Sequence, residues 1–432
     1  MSGGIAVLLG LLVVAFVSSM LVGGRTIRGF GLPSGAEYLV LGVVVGPHGL
    51  GLLPRSTVHG FQPIFVCAAA WLAFVVGLGY LIVGRRRVRL GRALAGIFGA
   101  GLVGAGVAAA LFFVLDLVGL LHGFERLELA LGAGFVGSET TRHTVRWVAE
   151  RHGARGKLSD WLADMARASA LVPVLGLGIL FAVAPDAPLG GFELSVRVGC
   201  TLGIGVVMGL VAAVLLGSEF RRDESWGILL GTSLLAAGVA TRLGLAAVAT
   251  LFAMGLTLSI ASRHRLEIKF MVQPTEKPVL LPVVLVAGAC VDFDSLPKLW
   301  LLVAVALAAR LCAELVRGVL LVALLPVARR AGPRIGFGMA STGAISLALA
   351  FTLTVRLPGP ASSAVLLLAA AGVLLGELIG PAELKRALEQ AGETHALDAE
   401  TDVAPLSLPS SALHEADFAE RTSVSDFPEA RR

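Results

Sequence analysis

Four charged side chains lie where the flanking residues imply hydrocarbon. Asp164 and Arg167 sit in ADMARASALVPVLGLGILFAV, and Arg310 and Glu314 sit in LLVAVALAARLCAELVRGVLLVALL. A charge at mid-bilayer costs roughly 2.5–3.5 kcal/mol on insertion scales, so such residues face a bundle interior or a cavity. Two chemistries fit them: binding of an ion or proton on a path through the membrane, or a structural ion pair between packed helices. Two more clusters combine glycine with hydroxyl side chains inside apolar runs, the first of them with charge as well. LGAGFVGSETTRHTVRWV holds Glu139, Thr140, Thr141, Arg142 and His143; IGFGMASTGAISLALAFTL holds Ser341 and Thr342 before Gly343. Such a mixture fits a broken helix, whose exposed carbonyls attract a cation and whose positive half-helix end attracts an anion. The alternative is an ordinary helix whose hydroxyls bond back to the preceding turn.

These residues need membrane-spanning helices to hold them. Hydrophobic residues make up 56% of the 432 and charged residues 15%, with a mean hydropathy of +0.86. The chain therefore reads as an all-α membrane protein with about 13 transmembrane helices, at roughly 4–22, 32–50, 64–83, 93–117, 127–147, 160–183, 192–216, 226–242, 244–261, 277–293, 298–325, 334–355 and 361–382. The stretch 4–22 is too long for a signal peptide and lacks its basic flank and cleavage site. The 54 glycines suit close helix packing. Cys67, Cys200, Cys290 and Cys312 have no metal-ligand spacing and read as small buried hydrophobes.

Loop charge sets the orientation. Loops after odd-numbered spans carry the basic residues, among them Arg25, Arg28, the arginine-rich stretch 85–92, Arg151, Arg155, Arg221, Arg265, Lys269, Arg329 and Arg330. The positive-inside rule puts the N-terminus outside and the C-terminus in the cytoplasm of a multi-pass protein of the cell (inner or plasma) membrane. Basic residues gathered in short loops point to topology and not to nucleic acid, despite a net charge of +5. The transmembrane domain covers 1–386 and reads as two inverted repeats at about 1–183 and 226–386 joined by a linker helix at 192–216. Residues 387–432 are polar and acidic and read as a disordered cytoplasmic tail. His48 reads as a turn residue at a span end. Asp292 and Asp294 lie at the outer mouth, either attracting cations or simply solvated. Arg317 is close enough to a span end to snorkel. No catalytic triad order, metal cluster or phosphate loop is in a plausible context, so neither enzyme chemistry nor a cofactor is expected.

At this point the motifs combine. FGLPSGAEYLVLGVVVGPHGLGLL, WLAFVVGLGYLIVGRRRVRL, PTEKPVLLPVVLVAGACVDFDSL and FGMASTGAISLALAFTL occur in that order. Over about residues 5–390 the chain resembles monovalent cation:proton antiporters of the second cation/proton antiporter family, the Kef-type and sodium/hydrogen exchanger membrane domains. The resemblance implies a secondary transporter exchanging Na+ or K+ for protons, a homodimer in the lipid bilayer, and an elevator in which two crossed, discontinuous helices move as part of a core. It also implies ion-binding or transport roles for Glu139, Thr140, Thr141, Asp164, Arg167, Ser169, Arg310, Glu314, Ser341 and Thr342. The chain departs from the family at its key acid. Anchored on Pro173, that position is Ala168, with Arg167 before it and Asp164 one turn earlier; Gly343-Ala344 stands where the family often has Gly-Glu. Asp164 and Arg167, three apart on a helix, are expected to meet as a buried pair, and Glu314 is expected to partner Arg310. A protein that kept the fold but lost transport, and an anion-coupled transporter admitted by Arg142, Arg167 and His143, are the competing expectations.

Overall fold

A chain in hydrocarbon must satisfy its backbone polar groups internally, so long apolar runs become helices. The computed structural model describes Gly10 and residues 35–83, 86–184, 194–217 and 222–394. The span expected at 4–22, Arg25, Arg28, Arg85, Arg221 and the tail from 395 onward lie outside the described residues. Among the described residues, seven helices are long and apolar enough to cross a membrane and three shorter ones are apolar.

In chain order, α1 spans Ala36–Val45 and α2 Arg55–Gly79. The two-residue strands β1, Ile82–Val83, and β2, Arg86–Arg87, form a small hairpin. Then come α3 at Leu90–Val118, α4 at Gly123–Gly137, α5 at Arg142–Arg151, α6 at Lys157–Ser169 and α7 at Leu171–Val183. Next are α8 at Leu194–Leu215, α9 at Arg222–Arg242, α10 at Ala247–Ala261, α11 at Arg265–Val272 and α12 at Glu276–Ala289. The last are α13 at Leu299–Leu324, α14 at Ile335–Gly338, α15 at Ala344–Arg356 and α16 at Pro360–Gln390.

Both spans expected to be interrupted are interrupted: α4 stops before residues 138–141, and α14 stops before 339–343. The span expected at 160–183 carries a further joint at Ala170, between α6 and α7. Pro173 explains it, because proline cannot donate a hydrogen bond to the carbonyl four residues back. The weakly marked division at 242–244 is a true turn, where Gly244 adopts φ +70°. Two expectations are corrected. The stretch holding Lys269 is not a loop but α11, because Ile268, Met271 and Val272 form a buried face. Cys312 is exposed on the outward face of α13, whereas the other three cysteines are partly buried.

Glycine contacts set how closely the helices approach. On α1, a Cβ at Gly42 would stand 2.0 Å from the Leu285 carbonyl oxygen, and one at Gly288 on α12 would stand 2.3 Å from that of Leu39. Helices α2 and α10 meet in the same way, with Gly77 against Phe252 and Gly255 against Phe74. Such close contacts replace the hydrophobic drive that lipid cannot provide between helices. Gly42→Ala is expected to destabilise the protein by about 1–3 kcal/mol through overpacking. Gly60→Ala, with nothing within 4 Å of its Cβ, is expected to leave stability unchanged or raise it slightly. Thermal unfolding of the two variants in detergent checks the contrast.

Candidate ion site at the crossing of two broken helices

Residues 138–141 and 339–343 run across each other and bond directly. Thr141 N donates to the Ser341 carbonyl at 2.7 Å. Thr140 Oγ1 donates to the Met339 carbonyl at 2.9 Å. Thr141 then caps α5, its Oγ1 accepting from His143 N at 3.3 Å. A hydroxyl residue is suited to that position because its oxygen replaces a missing helical acceptor. Ser169 ties the crossing to α6, with Thr140 N donating to its Oγ at 3.1 Å. Ser341 Oγ donates to the Gly376 carbonyl on α16 at 3.0 Å. The approach of α16 requires glycines: a Cβ at Gly376 would lie 2.7 Å from the Ala340 carbonyl oxygen.

Charges complete what the backbone leaves open. Glu139 is buried, and its Oε2 accepts from Ser346 N at 3.0 Å and Ser346 Oγ at 2.5 Å. A carboxylate thus faces the first turn of α15, where the helix dipole is positive. The short α14 ends the other way, with free carbonyls. Arg310 meets them, donating to Ala340 O, and also bonds Gly372 O at 3.1 Å. Arg317 donates to Thr140 Oγ1 at 3.1 Å and lies 2.5 Å from Glu314. Glu314 forms its ion pair with Arg317 and also interacts electrostatically with Arg310, whose guanidinium reaches the broken helix. Arg317 is also corrected as a snorkelling residue: it is 2% exposed.

A narrow cavity opens beside the crossing, between α2, α5, α6, α12 and α15. Glu139, Thr141, Arg142, His143, Arg167 and Gly343 contribute to its wall. Glu139 Oε1 and Thr141 Oγ1 each stand 3.0 Å from the point a Cβ on Gly343 would occupy. Glu276 at the start of α12 bonds Arg142 and lies 3.1 Å from His143 Nε2. Arg167 donates to the Gly79 carbonyl at 2.7 Å, closing the end of α2. A second cavity on the other side of the crossing reaches Arg310 and Thr342.

The structure brings Glu139, Thr140, Thr141, Ser169, Arg310, Ser341 and Thr342 to the crossing, with Glu314 behind them. Asp164 lies apart from the cavity wall. It is fully buried and accepts from Arg92 Nη1 at 3.1 Å, while remaining close enough to Arg167 to interact electrostatically. Ala168 is packed against Tyr80, whose hydroxyl donates to its carbonyl at 3.0 Å. Sequence reasoning missed Arg92, Glu276 and Ser346. Arg92 belonged to an arginine-rich loop and Glu276 to PTEKP at a span edge. For Ser346 the available signal was its place just after the glycine break, where a helix N-terminus needs an acceptor nearby.

Comparison with known proteins follows this geometry. The family profile described as "Sodium/hydrogen exchanger, transmembrane" matches residues 12–388. Among curated protein sequences none matches the chain. The sodium proton antiporter MjNhaP1 from Methanocaldococcus jannaschii at pH 8 shares the fold, with TM-score 0.65 and 16% identity over 90% of this chain and 100% of that one. A second structure of the same antiporter, an electron-microscopy map, gives TM-score 0.60 and 15% identity over 90% of this chain and 98% of that one.

The buried Arg92–Asp164 contact yields a test. Arg92→Met leaves a carboxylate short of its nearest counter-charge and is expected to cost about 3–5 kcal/mol. Adding Asp164→Asn is expected to recover part of that loss, because the amide needs no counter-charge. Chemical unfolding in detergent, run as a double-mutant cycle, checks both values.

Proposed function

The chain belongs to the sodium/hydrogen exchanger family of membrane transporters, and from that premise we propose that it exchanges a monovalent cation for protons at Glu139. One observation carries this: Glu139 Oε1 and Thr141 Oγ1 converge on the space above Gly343, at the edge of the cavity. A carboxylate and a hydroxyl oxygen are ligands for a hard, partly dehydrated alkali cation. The same carboxylate oxygen takes a proton, so the two ions compete for one site, which is the requirement for antiport. Gly343 keeps the space open because it has no side chain.

Glu139 takes the role because the family's usual position holds Ala168, which offers no oxygen ligand from its side chain. Asp164 is engaged with Arg92 away from the cavity. The motion is of the elevator kind. Helices α4 to α7 and α13 to α16, which carry the broken segments, form the moving core against α1, α2, α10 and α12. The unit is a homodimer, with the basic loops in the cytoplasm. Na+ and K+ are the candidate cations.

Anion coupling is the second reading, favoured by Arg142, Arg167 and His143 in the same cavity wall. The two separate by ion-flux assay. In proteoliposomes carrying a pH gradient, addition of Na+ or K+ is expected to dissipate the gradient. Glu139→Gln and Gly343→Ala are each expected to reduce that signal about tenfold or more, with the folded protein retained on gel filtration. A folded Glu139→Gln protein with unchanged cation-driven proton flux would overturn the assignment. Flux driven only by a small anion would favour the second reading. No flux of sodium, potassium, proton or anion above empty liposomes would leave a protein that keeps the fold without transport.

A further inference from the structure

The turn after α1 and the loop after α12 bring together three side chains of metal-ligating type that the crossing does not use. His48, Asp292 and Asp294 each offer one ligand atom, and all three atoms lie within 4.8 Å of one another. His48 Nε2 stands 3.5 Å from Asp292 Oδ1. We propose that His48, Asp292 and Asp294 bind a divalent transition-metal cation of the Zn2+ class, tying the turn after α1 to the loop after α12.

The donor set decides the class. One imidazole and two carboxylates suit Zn2+, Co2+ or Ni2+, whereas an alkali cation or Mg2+ prefers oxygen ligands throughout. Two carboxylates and a neutral imidazole carry two negative charges, which a divalent ion balances. Donors around a tetrahedral ion at about 2.0–2.2 Å stand roughly 3.4 Å apart, so small side-chain rotations gather the three. The fourth position is left to water, because His48 and Asp294 reach the surface.

Placement of the ligands does not depend on the metal. Gly46, two residues before His48, would carry a Cβ 2.9 Å from Ala289 Cα, three residues before Asp292, so both ligand-bearing segments leave one tight helix contact. The turn itself is pinned by Gly49 N to Gly46 O at 3.1 Å and Leu50 N to Val44 O at 2.7 Å. In the facing loop, Asp294 N donates to Asp292 Oδ1 at 3.0 Å and orients that carboxylate. The His48 ring meets Phe293 edge-on, with centroids 6.1 Å apart, and Phe293 stacks on Trp300 at 6.2 Å. Aromatic contact on one side holds the imidazole while its Nε2 faces the carboxylates. The site lies at the C-terminal end of α12, about 20 Å along that helix from Glu276 at its start, so it is separate from the ion cavity.

Isothermal titration of the purified full chain with Zn2+ in a non-chelating buffer tests the proposal. One Zn2+ per chain is expected to bind in a saturable step. His48→Gln and Asp294→Asn are each expected to weaken it by at least roughly 10–100-fold, the loss seen when even an outer-shell support is removed. Co2+ is expected to quench tryptophan fluorescence in the parent and not in the His48→Gln/Asp294→Asn double variant, a readout independent of transport. Equal Zn2+ affinity and stoichiometry in the double variant, or no saturable binding by the parent, would overturn the site. Gel filtration of the two single variants shows that each is folded when titrated.

Discussion

The structure depends on one constraint: backbone that leaves a helix inside a membrane must find its hydrogen bonds within the protein. Residues 138–141 and 339–343 leave their helices at the same place and bond to one another. Thr141 N reaches Ser341 O, and Thr140 Oγ1 reaches Met339 O. Neither break is satisfied without the other. The Ala340 carbonyl is taken by Arg310, and the first turn of α15 is met by Glu139. A buried charge is tolerable where it finds a partner of opposite sign or a helix end. Here the half-helix ends provide that partner, so the breaks and the charges justify each other.

The charges away from the crossing obey the same rule. Asp164 is covered by Arg92 from α3, Glu276 by Arg142 and His143, and Glu314 by Arg317. The first two pairs join separate helices, and the third lies within α13. Arg167 donates to the Gly79 carbonyl at the end of α2, so a guanidinium serves as a helix C-cap. Ala168 beside it carries no acid, and the carboxylate at the crossing is Glu139.

Much of this was legible in the sequence. Span composition located the helices, and GSETTRH and ASTGA marked both breaks; the ordinary-helix alternative fell only when the structure showed the two segments bonded to each other. The turn at Gly244 was only weakly marked, by Arg242-Leu243-Gly244 between two apolar runs. Partners were not legible. Arg92 and Asp164 are 72 residues apart, and Arg142 and Glu276 are 134 apart. Helical periodicity tells which face a residue occupies but not which distant helix covers it. Arg317 is close enough to the expected span end at 325 to snorkel, yet its guanidinium turns into the bundle and donates to Thr140 Oγ1. Glu314 paired within its own helix at i,i+3 with Arg317, while Arg310 at i−4 also reaches the Ala340 carbonyl, which is open only because the helix is broken there.

A carboxylate that caps a helix and also binds an ion has divided duties, and this gives the proposed exchange a physical means of coupling. Glu139 holds the first turn of α15 through Oε2, while Oε1 stands beside Gly343 at the cavity. A cation arriving at Oε1 leaves the carboxylate ionised, so the cap and its attraction to the α15 dipole persist. A proton arriving there neutralises the group, and the charge that balances the helix end is lost. Arg310 at the opposite half-helix is fixed by carbonyls that do not titrate. The two loads therefore differ in how firmly they hold one side of the crossing, although they occupy the same oxygen. In the proposed exchange, competition at Oε1 would make the exchange obligatory, and the asymmetry at Oε2 would let the helices distinguish which ion is bound.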